Sequence, residues 1–232
     1  MKRAIVIAIS VILALVVAAP IASGQSSSQG KNLGKGQNLG KLTGDWWNWV
    51  VSTNPSPPNP NEDGPCGANF VDGVFFLAGS FAGAQVTRSC TVPANTPILF
   101  PVANTACGAA PTLGPDSHGN FTGDPEPYSK CAQAPIDDIA SNSTMIATLD
   151  GQPLEIQRLE SGPFTLTNPS PRSEILPNAP PGSYKSWASG FWVYLPQGLE
   201  PRVEPYTLHW SVLPKVSPGF TQDITYNLTV VD

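Results

Sequence analysis

The sequence predicts an all-β protein: a single disulfide-linked β-sandwich or jelly roll with one or two short helices. The chain contains 26 prolines, which oppose long helices and favour short strands joined by turns. Segments of alternating apolar and polar residues recur along it, and its four cysteines are enough for two disulfides. Residues 42–232 suffice for one sizeable core, and sandwiches of this length commonly form a single domain.

The first 24 residues carry the pattern of a secretory signal peptide. Lys2 and Arg3 precede an apolar run from residue 4 to 19, and small residues follow up to Gly24. We expect cleavage after Gly24, although the run is nearly long enough to span a bilayer uncleaved, which takes about 17 to 20 residues. The mature protein is therefore expected outside the cell, and it would meet a membrane only if this segment stayed attached.

Residues 25–41 are predicted to be a flexible tail. They are mainly Gly, Ser, Gln, Asn and Lys, which offer almost nothing to bury. The tail contains one tetrapeptide twice, first as Asn32-Leu33-Gly34-Lys35 and again as Asn38-Leu39-Gly40-Lys41. We expect the folded domain to occupy residues 42–232.

The charge of the mature chain excludes nucleic acid as a partner. Removing Lys2 and Arg3 leaves 10 basic against 17 acidic residues, a net charge near −7. No cluster of Lys or Arg is present that could neutralise a row of phosphates.

A short helix is predicted directly after the tail, with Thr43 as its N-cap. Trp46, Trp49 and Val50 fall on one face at positions i, i+3 and i+4. We expect the two tryptophans to close one end of the sandwich core. Trp47 would point elsewhere, toward solvent or a second surface, which makes it a candidate ligand-binding residue. A proline-rich stretch then ends the helix.

About nine segments are predicted to be strands, and the last is the most regular. Ile224, Tyr226, Leu228 and Val230 alternate there with polar residues, so one face should be core and the other wet. The other strands are predicted at residues 73–81, 86–92, 97–102, 145–149, 154–159, 164–167, 191–195 and 207–212. Between the strands at 97–102 and 145–149, a second short helix is predicted at residues 128–141.

The four cysteines, Cys66, Cys90, Cys107 and Cys131, are spaced by 24, 17 and 24 positions. This spacing is far from any CxxC or Cys/His arrangement that would hold zinc or perform redox exchange. In an exported chain the simplest outcome is two disulfides. Three pairings are possible. We favour Cys66 with Cys90 and Cys107 with Cys131, because local closure is the commonest solution between neighbouring strands.

Five motifs are spread over the predicted domain: Trp46-Trp47-Asn48-Trp49, Phe76-Leu77-Ala78-Gly79-Ser80-Phe81, Thr87-Arg88-Ser89-Cys90-Thr91-Val92-Pro93-Ala94, Leu99-Phe100-Pro101-Val102 and Thr225-Tyr226-Asn227-Leu228-Thr229-Val230. Together they resemble a family of secreted, β-rich bacterial and archaeal proteins that has no established function. Members of that family often carry a glycine-rich His-Thr-x-His turn before the final strands. Here only Thr207-Leu208-His209 remains, so the resemblance implies neither a histidine-pair metal site nor a reaction.

The sequence contains no recognised catalytic motif. The segment 79–83 places its serine one position too early for a GxSxG elbow, and HExxH, P-loop and GxGxxG motifs are missing. His209 is expected on the solvent side of a strand. His118 lies in a polar loop that could instead hold an acid/base or metal cluster together with Asp116, Asp124 and Glu126.

A partial calcium-loop pattern precedes Gly64. Asn59, Asn61 and Asp63 offer oxygen donors at alternate positions, as calcium loops do. The first donor is neutral, however, and the twelfth position is Phe70 instead of a bidentate glutamate. A turn-rich loop leading to Cys66 is the alternative account.

Aromatic residues are the best candidates for ligand recognition. Trp192 and Tyr194 share one face of a strand that is apolar on both sides, so a core position is the simpler account. The alternative is a sugar-stacking platform that these rings form with Trp187 or Tyr184.

Two classes of function follow from these observations. The first is a secreted, non-catalytic β-sandwich that binds an extracellular glycan or surface component, or packs against copies of itself. The alternative is a secreted, calcium-assisted hydrolase acting on an ester, lactone or glycosidic bond, with His118 or His209 and the loop carboxylates in acid/base roles. A histidine that reaches a carboxylate in a cleft would favour the hydrolase, whereas histidines isolated on flat surface would oppose it.

Overall fold

The computed structural model describes residues 38–52, 70–80, 85–108, 125–168, 181–217 and 219–232. Within these ranges the chain forms ten strands and two helices, which confirms the predicted all-β fold with short helices. In chain order they are α1 (Leu39–Ser52), β1 (Phe70–Val71), β2 (Val74–Phe76), β3 (Gln85–Pro93), β4 (Ile98–Gly108), α2 (Pro125–Asn142), β5 (Ser143–Leu149), β6 (Gln152–Pro153), β7 (Gln157–Asn168), β8 (Gly182–Leu195), β9 (Tyr206–Pro214) and β10 (Gln222–Val231).

The described strands form two five-stranded sheets that pack as a β-sandwich. Sheet A has the order β1-β2-β4-β8-β7, and sheet B has the order β3-β10-β9-β5-β6. Most neighbours are antiparallel, whereas β2 pairs with β4 and β3 pairs with β10 in parallel. Strand β8, which the sequence indicated to be central and buried, lies inside sheet A between β4 and β7.

The sandwich core lies between the inner faces of the two sheets. The predicted alternation in β10 is confirmed, because Ile224, Tyr226, Leu228 and Val230 are all buried. Phe100 of β4 contacts Trp210 of β9 at a centroid distance of 4.6 Å, which joins the two sheets. Ile136 and Ile139 of α2 complete this cluster.

Helix α1 covers the opposite face of sheet A. Leu99 and Trp192 point toward the helix, while their neighbours Phe100 and Val193 point into the sandwich. Trp46 packs edge-on against Trp192, with ring centroids 5.5 Å apart. The expectation that Trp46 and Trp49 close one end of the sandwich core is therefore wrong. Because β4 and β8 are apolar on both faces, sheet A supports a second core on its outer side.

The start of α1 differs from the prediction. The helix begins at Leu39, and Asn38 is its cap, since Asn38 Oδ1 accepts the backbone N–H of Lys41 at 3.1 Å. Thr43 lies inside the helix, where its hydroxyl donates to the Gly40 carbonyl at 2.8 Å. Thr43 is therefore not the N-cap.

The predicted tail is too long at its C-terminal end. Leu39 is buried in the cluster under α1, so the folded domain includes residues that the composition assigned to the tail. The composition of residues 25–41 is so polar and glycine-rich that it gave no sign of the burial of Leu39. Residues 25–37 and the predicted signal peptide, residues 1–24, lie outside the described residues.

Two glycines allow α1 to lie directly on the edge strand β7. A Cβ atom at Gly40 would stand 2.5 Å from the backbone oxygen of Glu160, and one at Gly44 would stand 3.0 Å from the ring of Phe164. Asn48, four residues further along the same stripe, hydrogen-bonds to the β7 backbone. The stripe of two glycines and one asparagine thus sets the position of the helix.

Several strand boundaries also differ from the prediction. The segment predicted at 164–167 and the second half of the one predicted at 154–159 belong to one strand, β7, which is continuous through a bulge between Glu160 and Pro163. Gly162, with φ of 68°, provides the backbone conformation of that bulge. Strand β8 begins at Gly182, well before the predicted residue 191. The prediction missed its first half because the residues there are mostly small or polar and show no continuous apolar pattern. The strand predicted at 73–81 ends at Phe76.

The predicted disulfide between Cys107 and Cys131 is confirmed, and it ties the end of β4 to helix α2 across a Cα–Cα distance of 6.0 Å. Cys90 is also disulfide-bonded, and Cys66, its predicted partner, lies outside the described residues.

Helix α2 exceeds its predicted range of 128–141 by a few residues. Neither described helix combines the length and apolarity that crossing a bilayer requires.

Candidate functional site

Four successive backbone carbonyls, those of residues 77–80, accept hydrogen bonds from buried side chains. This segment follows β2, is buried, and forms no regular strand, so its carbonyls need partners from elsewhere. The bonds are Trp46 Nε1 to Leu77 O at 2.9 Å, Tyr226 Oη to Ala78 O at 2.9 Å, Arg88 Nη1 to Gly79 O at 2.8 Å and Gln222 Nε2 to Ser80 O at 3.0 Å. Side chains from α1, β3 and β10 thereby hold one irregular segment.

These contacts give four of the five sequence motifs a structural role. Trp46, Arg88 and Tyr226 come from three motifs, and they all bind the backbone of a fourth, residues 76–81, within its described part. Tyr226 is fully buried, and its burial raises the pKa of the phenol, while Arg88 lies over its ring at 5.6 Å. Because the cluster has almost no accessible surface, we interpret it as a support of the fold and not as a binding site.

The tryptophans proposed as ligand platforms are mostly enclosed. Trp47 is only 7 % exposed and packs edge-on against Trp46 at 5.4 Å, so the predicted exposure of Trp47 is wrong. Trp192 is completely buried. Trp187 and Tyr194 are half-buried, but successive β8 residues alternate between faces, which puts Trp187 on the opposite face of sheet A from Trp192 and Tyr194. These rings therefore do not share one platform.

A histidine and a carboxylate meet on sheet B. His209 Nε2 lies 2.9 Å from Asp223 Oδ1, and both side chains are about one third exposed, at 30 % and 38 %. The second carboxylate oxygen, Asp223 Oδ2, accepts a hydrogen bond from Gln85 Nε2 at 3.3 Å. The three residues stand on adjacent strands β9, β10 and β3, so the sheet register brings them together.

The pair belongs to a larger array of polar side chains that we call the outer face of sheet B. Its residues point away from the core along four adjacent strands. Neither helix packs on this face, since α1 packs on β7 and β8 and α2 packs mainly on β4 and β8. The described residues of the face, all of them exposed or half-buried except the buried Ser211, are Gln85, Thr87, Ser89, Thr91, Thr144, Ile146, Thr148, Thr207, His209, Ser211, Leu213, Asp223, Thr225, Asn227 and Thr229.

One end of this outer face is apolar. Ile146 on β5 and Leu213 on β9 are diagonal neighbours, and they are 44 % and 56 % exposed. Val216 and Phe220, in the connection from β9 to β10, are exposed as well, at 76 % and 40 %. The outer face thus combines a field of hydroxyl and amide groups with an apolar rim.

The remaining candidates are not tested by these contacts. His118, Asp116, Asp124, Asn59, Asn61 and Asp63 lie outside the described residues, as does the side chain of Glu126. Within the described ranges no group of three or more His, Cys, Asp or Glu side chains is placed to hold a metal ion. His209 is the one sequence-derived catalytic candidate whose surroundings are described.

Sequence reasoning missed Asp223 as the partner of His209. The available signal was the alternation of the last strand, which places Asp223 on the wet face with Thr225 and Asn227. Pairing β9 with β10 through their short connection would then have set His209 opposite Thr225, beside Asp223.

Chemically, the outer face offers many hydrogen-bond donors and acceptors, one His–Asp pair and an apolar rim on an open sheet. Among the described residues the pair lies on the face of the sheet, with both side chains about one third exposed, whereas the hydrolase interpretation requires a cleft. No protein family, curated protein or solved structure matches this chain.

Proposed function

We propose that this chain is a secreted, non-catalytic β-sandwich that binds an extracellular glycan through the outer face of sheet B. The observation that carries the proposal is the array of outward hydroxyl and amide side chains on four adjacent strands, over which neither of the two described helices packs. Sugar hydroxyls pair well with such groups, because Ser, Thr and Asn side chains both donate and accept hydrogen bonds.

The distribution of the aromatic rings supports binding on this face instead of on sheet A. The core under α1 buries Trp46, Trp47 and Trp192, so these residues offer no exposed ring face to a ligand. The apolar rim at Ile146 and Leu213 is the exposed apolar surface that adjoins the polar array. A pyranose ring has both hydroxyl edges and apolar C–H faces, so the two parts of the outer face match the two parts of a sugar.

The charge of the domain favours a glycan over a second copy of the protein. Four of the 12 basic residues precede residue 38, so residues 38–232 carry 8 basic against 17 acidic residues, a net charge of −9. This net charge opposes the packing of copies against each other. Export is supported by the signal-like sequence of residues 1–24 and is consistent with the Cys107–Cys131 disulfide.

The test is retention of the purified chain, without residues 1–24, by a panel of insoluble polysaccharides. The blocking variant is Thr225→Lys, which places a long charged side chain in the middle of the outer face. The matched control is Ser183→Lys, at an exposed position of β8 in sheet A. We expect the Thr225→Lys variant to bind at least about tenfold more weakly and the control to bind like the unaltered protein. Binding to none of the polysaccharides, or unchanged binding by Thr225→Lys, would refute the proposal.

The hydrolase remains a second candidate, because His209 and Asp223 form a hydrogen-bonded pair of the kind that orients a general base. The same preparation is assayed on esters, lactones and polysaccharides, with and without EDTA. A turnover that His209→Ala abolishes would establish the hydrolase and replace the binding function as the main role of the face.

A further inference from the structure

We infer that the ligand of the outer face is an uncharged polysaccharide and that His209 recognises one of its hydroxyl groups, an inference that rests on the proposed function. Among the described residues of the face, only His209 and Asp223 are ionisable, and neither Lys nor Arg is present. Lys215, which follows β9, already donates its Nζ to the Ser141 carbonyl at 2.9 Å. Carboxylate, sulfate or phosphate groups of an anionic polymer would find no cation to pair with there. The net charge of −9 on residues 38–232 adds a general repulsion.

A cationic polymer is also a poor match for the face. The one carboxylate, Asp223, accepts at both oxygens, Oδ1 with His209 at 2.9 Å and Oδ2 with Gln85 at 3.3 Å. An ammonium group of the ligand would have to share an oxygen with one of these partners, and the described residues of the face offer no second carboxylate. The remaining polar groups are uncharged hydroxyls and amides, which match the hydroxyls of an uncharged sugar.

Asp223 also determines what His209 can offer to the ligand. In the neutral imidazole one nitrogen carries a proton and the other accepts, and the hydrogen bond at Nε2 selects which is which. With Nε2–H donating to Asp223, Nδ1 is the acceptor, and it forms no hydrogen bond to the protein in the described part of the chain. Nδ1 is thus available to a ligand hydroxyl, flanked by Thr148 and Thr225 on the neighbouring strands.

The shape of the surface indicates a polymer and not a single sugar. The polar array crosses four strands, which are about 4.8 Å apart, and Ile146 and Leu213 extend it at one end. One pyranose ring covers only a small part of that width. Several consecutive sugar units are needed to reach from Thr87 on β3 to Ile146 on β5.

The experiment compares an uncharged, an anionic and a cationic polysaccharide in the same retention assay, at about 0.1 M and about 1 M NaCl, where the screening length falls from ~10 Å to ~3 Å. We expect the uncharged polymer to bind at both salt concentrations. Any retention on the cationic polymer should disappear at the higher salt, since it would reflect the net charge alone. Free monosaccharide should compete poorly with the polymer.

Two variants test the role of His209. His209→Ala should weaken binding of the uncharged polymer by about five- to tenfold, the equivalent of one lost hydrogen bond. Asp223→Asn keeps an oxygen acceptor beside Nε2 and should weaken binding less. Ser183→Ala in sheet A is the control and should leave binding unchanged.

The outcomes separate the two proposals. Failure of every polysaccharide to bind would overturn the proposed function itself. Salt-resistant binding of the anionic or cationic polymer would overturn only the assignment of an uncharged ligand. Unweakened binding of the uncharged polymer by His209→Ala would overturn only the role of His209 in recognising it. Binding of the uncharged polymer that is salt-resistant and dependent on His209 supports both.

Discussion

Asn48 accepts a hydrogen bond of 2.8 Å from the backbone N–H of Thr167 and donates another of 2.8 Å to the backbone carbonyl of Thr165. Its side-chain amide thus takes the place of a neighbouring strand at the edge of β7. An unpaired edge strand is a template for pairing with another chain. Helix α1 therefore both covers the outer core of sheet A and closes one edge of that sheet.

Replacing Asn48 by alanine removes both of these hydrogen bonds. We expect Asn48→Ala to lower the free energy of unfolding by about 1 to 3 kcal/mol and to increase aggregation, because the β7 edge is opened. Urea unfolding and light scattering measure the two effects. Ser52→Ala is the control, since among the described residues the Ser52 hydroxyl bonds within its own helix, to Trp49 O. Equal stability of the two variants would contradict this role for Asn48.

Gly44 is a position where alanine should not stabilise the helix. In an open helix Gly→Ala gains about 1 kcal/mol, but here the added Cβ would stand 3.0 Å from the ring of Phe164. We expect Gly44→Ala to lower the free energy of unfolding by about 1 to 2 kcal/mol, as overpacking does.

A double-mutant cycle with Phe164→Ala isolates this contact. Once the ring is removed, the alanine at position 44 should become neutral or stabilising, giving a coupling energy of at least about 1 kcal/mol. Additive effects of the two substitutions would show that Phe164 is not what limits the size of residue 44.

The difference between what the sequence predicted and what the fold contains has a common physical origin. Local periodicity identified β10 and the apolar face of α1, because 3.6- and 2-residue repeats depend only on near neighbours. The site where α1 docks depends on contacts more than a hundred residues away, such as Asn48 with Thr165, which no local pattern encodes. The first half of β8 was missed for a similar reason: its small residues are buried by α1 and α2 and not by their own alternation.

In the candidate site, too, local alternation predicted the position of a single residue but not its long-range partner. His209 was placed on the wet face of its strand by alternation, and this is where it lies. Its partner Asp223 is 14 residues away, and their meeting depends on the register of β9 with β10. The exposure predicted for Trp47 was wrong because α1 packs on both β7 and β8 of sheet A, so that more than one stripe of the helix surface is buried.

Tyr226 should make the protein sensitive to alkaline pH. Burial raises the pKa of its phenol above the ordinary value near 10, so the folded state holds the proton more tightly than the unfolded state. Its contribution to stability is complete below the ordinary pKa and is lost as the pH rises through the raised value of the folded state. Tyr194, whose pKa burial also raises, adds to the same trend.

The variant Tyr226→Phe tests this assignment. At neutral pH it should lower the free energy of unfolding by about 1 to 3 kcal/mol, because Ala78 O and Arg88 lose a partner. Above pH ~10 it should lose less stability per pH unit than the unaltered protein. Parallel curves of stability against pH for the two proteins would contradict the role of Tyr226 in the alkaline loss.

Asp150 should contribute the opposite dependence at acid pH. Its carboxylate bonds to Arg202 Nη1 at 2.7 Å and accepts the Thr207 backbone N–H at 2.9 Å, which ties the turn after β5 to β9 and to the segment before it. The hydrogen bond from Arg202, followed by that from Thr207, lowers the pKa of the carboxyl below its ordinary 3.8. The resulting stability is present above that ordinary pKa and is lost as the pH falls through the lower value of the folded state.

The substitution Asp150→Asn removes this charge while keeping a residue that tolerates the φ of 50° found there. We expect the unaltered protein to be more stable than the variant at pH 7, and we expect that advantage to shrink toward zero as the pH falls well below 3.8. Urea midpoints across this pH range measure the difference. Glu155→Gln, at an exposed carboxylate without an ion pair in the described part of the chain, should show no such convergence. A difference between Asp150→Asn and the unaltered protein that stays constant with pH would mean that the ion pair with Arg202 does not stabilise the fold.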